Sequence, residues 1–109
     1  MFIGVLKLTF HIPHARSLKD KRSVVRKFQD RIRAKFSVSI AEVDAQDLLQ
    51  RAVFGVAVVS GDAAVCDSVL EAVAHTAETQ EEAVLTDRAT ELIPIGDDLY
   101  GDRQGDEDG

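Results

Sequence analysis

Nine of the thirteen lysines and arginines of this 109-residue chain stand between Arg16 and Lys35, in the segment RSLKDKRSVVRKFQDRIRAK. Guanidinium and ammonium groups set this densely can neutralise successive phosphates and release their counterions, so the chemistry on offer is the binding of a polyanion. With Leu18 as origin and about 100° per residue, Arg22, Arg33, Arg26 and Lys19 fall within an arc of about 60°, while Lys27 and Arg31 lie on the far flank. Only Asp20 and Asp30 interrupt the positive run, and few glutamates stand at the spacing needed to pair with it. From residue 36 onward seventeen acids face three arginines, so the net charge of -6 conceals a polarised molecule.

The other reactive side chains are less well placed. His11 and His14 have an HxxH spacing across Pro13, without the third ligand that a metal site needs. The single cysteine, Cys66, has neither a disulfide partner nor a CxxC mate. His75 stands near Glu71 and Glu78 as a surface pair. Glu42, Asp44 and Asp47 would have to converge to serve in acid–base chemistry or to hold a hard metal ion. Asp47 reads more simply as connector chemistry, and Glu42, inside a strand, calls for a basic partner, expected to be Arg51 on the next strand. GVAVVSGD lacks the Lys and Ser or Thr of a phosphate-binding loop. No enzyme, metal, cofactor or small-molecule substrate is therefore expected.

These residues need elements to position them. FIGVLKLTFHI alternates, with Phe2, Leu6, Leu8, Phe10 and Ile12 on one face and Ile3, Val5, Lys7, Thr9 and His11 on the other, which predicts a strand. Ser17 and Asp20 form a capping pair for a helix from about Leu18 to Lys35, whose apolar side holds Leu18, Val24, Val25, Phe28, Ile32 and Phe36. VSIAEVDA and RAVFGVAVVS are β-branched runs, the second apolar on both faces as a central strand requires. Asp62 caps a second helix to about Glu78, with Val65, Cys66, Val69, Leu70, Val73 and Ala77 inward. AVLTDRATELIPI supplies the last strand.

Strand, helix, strand, strand, helix, strand gives an α+β chain: a ferredoxin-like βαββαβ sandwich, a four-stranded antiparallel sheet with two helices on one face. Residues 1–96 make one such domain, and 97–109, with six acids and one arginine, read as a disordered acidic tail. The opening MFIGVLKLTF lacks a basic leader and a cleavage site, and no apolar run is long enough to cross a membrane, so a cytoplasmic protein is expected. The sheet's open face has no aromatic residues for base stacking. Recognition by backbone and shape is what remains, and the apolar character of that face predicts a homodimer.

Ser17 to Asp62, with SLKDKR, KFSVSIAEVD and QRAVFGVAVVS, closely resembles the YlxP-like family of small bacterial proteins of unknown function, a similarity that extends over about residues 1–95. The resemblance implies a ferredoxin-like fold and no established reaction, and some members are encoded beside translation-initiation and ribosome-maturation genes. Ser17, Lys19, Lys21, Arg22, Glu42, Asp44, Asp47 and Arg51 match its recurring motif, without assigned roles. Leu49 stands where many relatives carry Trp, and Ser37 where Asn is frequent. The resulting expectation is a non-enzymatic module that contacts structured RNA or a ribosomal particle through Arg16, Lys19, Arg22, Arg26, Lys27 and Arg33. The alternative is a dimeric protein-interaction or regulatory module whose basic helix meets an acidic protein partner.

Overall fold

The computed structural model describes residues 1–96, so the tail expected at 97–109 lies outside the described residues. The elements follow in the expected order: β1 (Phe2–His11), α1 (Leu18–Lys35), β2 (Ser39–Asp44), β3 (Arg51–Ser60), α2 (Ala63–Glu78) and β4 (Val84–Pro94). Every strand pairing is antiparallel, in the order β2-β3-β1-β4, so the first and third strands are central. This is the α+β ferredoxin-like arrangement.

Side-chain alternation decides which face receives the helices. Leu6, Leu8 and Phe10 of β1 stand opposite Val56, Phe54 and Ala52 of β3, and all six are buried. Onto them α1 lays Val24, Phe28 and Ile32, while α2 lays Cys66, Leu70, Val73 and Ala77. Phe28 is wedged between Phe10 and Phe54, with ring centroids 5.0 Å from each at tilted or edge-on angles that suit aromatic quadrupoles. Under α2, a Cβ added to Gly4 would lie 2.8 Å from Leu70 Cδ1 and 3.2 Å from Cys66 Cβ and a Val58 methyl, so an alanine there would require these side chains to give way.

Two side chains expected inside are exposed. Leu18, at 39%, and Val65, at 46%, occupy the first turns of their helices, at the margin of the buried arc. Thr76 and Ala74 of α2 are buried instead. The open face presents Ile3, Val5, Lys7, Thr9 and His11 of β1 beside Val53, Gly55, Ala57 and Val59 of β3. Val43 is an extra residue in β2, between the pairs Glu42–Phe54 and Asp44–Val53, and it leans over Gly55, where an added Cβ would lie 3.1 Å from its methyl group.

Candidate functional site

The basic face depends on a well-specified helix. Ser17 Oγ accepts from the Asp20 amide at 3.1 Å, and the Asp20 carboxylate reaches back to accept from the Arg16 amide at 3.1 Å, so two donors at the start of α1 are satisfied locally. Val24, Phe28 and Ile32 anchor the opposite side in the core. The rotation of α1 is thereby set, and with it the direction of each charge.

All six residues expected to meet a polyanion are exposed, yet they do not form one surface. Lys19, Arg22 and Arg26 make no ion pair within 4.0 Å among the described residues. Arg33 shares their arc, donates to the Ile40 carbonyl of edge strand β2 at 3.1 Å and lies 4.0 Å from Asp30. Arg16 precedes the helix, at the end where Lys19 stands. Lys27 points to the other flank, 3.4 Å from Glu82 in the α2–β4 connection. Arg31 turns the same way, donating to Gln80 Oε1 and Thr79 Oγ1 at 2.9 Å each. Lys19, Arg22, Arg26 and Arg33 thus form a stripe about 21 Å long, at 1.5 Å of rise per residue, and Lys27 is outside it.

An eighth cation of the segment is directed inward. Lys21 is 2% exposed, with Nζ 3.0 Å from Glu42 Oε2, an oxygen closed off from solvent and otherwise unpartnered among the described residues. The same ammonium donates to the Ala45 carbonyl. Ala45 has φ +62°, the left-handed region that L-residues other than Gly, Asn and Asp seldom occupy, and its amide donates to Asp44 Oδ1 at 2.8 Å. Arg51 is therefore not the partner of Glu42. Glu42 stands opposite Phe54, on the helix-covered face, whereas Arg51 stands opposite His11 on the open face, so the sheet separates them. A signal for Lys21 existed in the sequence: at about 300° it falls between Phe28 and Ile32 on the helical wheel.

The remaining candidates do not converge. Glu42 is committed to Lys21, Asp44 to the Ala45 amide, and Asp47 is exposed. His11 Nδ1 lies 3.1 Å from the Gln50 carbonyl, and His14 lines a separate depression with Asp20, Ser23, Glu81 and Glu82. No group of three or more His, Cys, Asp or Glu suited to a metal ion occurs among the described residues. Cys66 is buried. His75 sits 3.8 Å from Glu78, whereas Glu71 bonds Arg88 at 2.9 Å, and that hydrogen bond and charge hold the guanidinium pKa above its usual value. No helix of the described residues is long and apolar enough to cross a membrane.

Comparison with known proteins yields two findings. A family model described as "Protein of unknown function (DUF503)" matches residues 3–90. Over 58 residues, 53% of this chain, the sequence is 45% identical to "Uncharacterized protein YlxP" of Bacillus subtilis (strain 168), and the match spans 63% of that protein's length.

Proposed function

The chain belongs to the DUF503 family of proteins of unknown function, and from that starting point we propose that it is a non-enzymatic module binding structured RNA, as on a ribosomal particle, through the stripe Lys19, Arg22, Arg26 and Arg33 with Arg16 beside it. The observation that carries this reading is the stripe itself. Its three foremost cations have no anionic partner among the described residues, in a chain where acids outnumber bases by nineteen to thirteen. Absence of open-face aromatics favours contact with backbone phosphates over base stacking.

The test is fluorescence anisotropy with a ribosomal RNA fragment across a salt series, comparing the full chain with Arg22→Glu/Arg26→Glu. Each lost phosphate contact removes about 0.9 from the slope of log K against log salt on a duplex, so the variant should bind at least about tenfold more weakly and lose about two units of slope. No binding by the full chain at low salt would overturn the reading. Displacement of RNA by polyglutamate at equal charge would assign the helix to an acidic protein instead.

A second surface supports self-association. Val59, 62% exposed, stands in one row with Ile3 and Ile93, and Val5, Ala57, Ala41 and Val43 continue the apolar surface. Three strands of about 33 Å and β2 of about 20 Å, at about 4.8 Å spacing, offer about 570 Å² per copy over the whole face. Two such faces together approach the lower limit of a specific interface, about 1,200 Å² in total.

A further inference from the structure

Rotation of α1 leaves Lys19, Arg22 and Arg26 of the stripe with no ion-pair partner within 4.0 Å among the described residues, while the same chain carries a strongly negative segment after residue 96. Residues 97–109 contain Asp97, Asp98, Asp102, Asp106, Glu107 and Asp108 against Arg103 alone. We propose that this segment occupies the Lys19–Arg22–Arg26–Arg33 stripe in the free protein and is displaced by the polyanion, a regulation of the RNA-binding surface that rests on the reading above.

The topology puts the end of β4 and the last turn of α1 at the same end of the sheet. β4 ends at Pro94, opposite Phe2, and Phe2 stands opposite Ser60, so the chain leaves the sheet at the end where β3 finishes. The last turn of α1 lies at that end too, since β2 follows it and begins at Ser39, opposite Ala57. From β4 to β2 the lateral separation is three strand spacings, about 14 Å. A span of 10 residues with coil statistics has a root-mean-square reach of about 17 Å, comparable with that lateral step to Arg33. Fully extended, thirteen residues span about 43 Å, more than the length of the helix. A tether of this length holds its charges at an effective concentration in the millimolar range, enough for weak contacts to be populated. Attraction between exposed charges decays over about 10 Å at 0.1 M salt, so the docked state belongs to low ionic strength.

The experiment uses the full chain and two separate readouts. Cys66 is buried, so a spin label can be placed on Gln104→Cys without competition from an accessible thiol. Amide resonances of Arg22, Arg26 and Arg33 should broaden at 20 mM salt and recover at 500 mM, and Arg22→Glu/Arg26→Glu should abolish the broadening. Uniform or absent broadening along α1 overturns the docking, whatever RNA does. In the second readout, a full-length variant with the six tail acids changed to Asn or Gln should bind the RNA fragment about three- to tenfold more tightly at low salt, with the difference gone at 300 mM. Unchanged affinity overturns the competition. Failure of both chains to bind RNA removes the RNA-binding reading, while the broadening still reports on whether the tail docks.

Discussion

Lys21 is the one cation of the α1 segment that a partner cannot touch, and its role is opposite to that of its neighbours. Removing one member of a buried ion pair strands the other, so Lys21→Met should cost about 3 kcal/mol in urea unfolding, the residual exposure of Glu42, 18%, keeping it near the low end. The double variant Lys21→Met/Glu42→Leu should recover most of that loss, whereas Lys19→Met should stay within about 0.5 kcal/mol of the parent. Ala45, held left-handed by Lys21 from one side and Asp44 from the other, predicts that Ala45→Gly raises stability by up to about 1 kcal/mol. Helical phase located Lys21 in principle, yet its charge argued for the surface. Only the position of Glu42 across the fold resolves that conflict.

At the scale of elements, sequence and structure agree wherever a local chemical signal marks a boundary. Ser17 and Asp62 start the two helices because their side chains accept first-turn amides, and β3 stops at Ser60 where Gly61 and Asp62 follow. Ser17→Ala should therefore lower stability by about 1 kcal/mol, read from the shift in the denaturation midpoint at constant slope. What was not legible depended on register. The extra residue Val43 in β2 and the shift between Thr9 and Phe10 on the β4 side are set by pairing across the sheet, and so is the separation of Glu42 from Arg51. The closeness of α2 to the sheet was equally hidden: Gly4 looks like any strand glycine until Leu70 lies over it. Gly4→Ala should destabilise by about 1–3 kcal/mol, as overpacking does, and by more than Gly61→Ala, where nothing lies within 4 Å.

The molecule as a whole has two faces with different physics, a charged helix layer and an open sheet whose Ile3, Val5, Val59 and Ile93 end is apolar while Lys7, His11 and Arg51 mark the other end. Salt acts on the first and hardly on the second. If the sheet face joins two copies, sedimentation equilibrium should give a dimer that persists in 500 mM salt, and Val59→Glu should shift it to monomer while leaving RNA affinity per chain within about twofold. A monomer at every accessible concentration would refute self-association through that face. The candidate stripe was legible as a composition and an arc, because helical geometry alone places Lys19, Arg22, Arg26 and Arg33 together. Loss of Lys27 to Glu82 was not, because that contact joins residues 55 positions apart.

Arg33 belongs to the stripe and also covers a carbonyl of the edge strand β2. Edge strands left open to solvent invite pairing with strands of other chains, and a long cationic side chain lying along the margin is one way of preventing it. Replacing Arg33 therefore does more than subtract a charge. A chain carrying Arg33→Ala should show faster thioflavin-positive aggregation on prolonged incubation than Arg26→Ala, which loses the same charge and leaves the margin of β2 guarded.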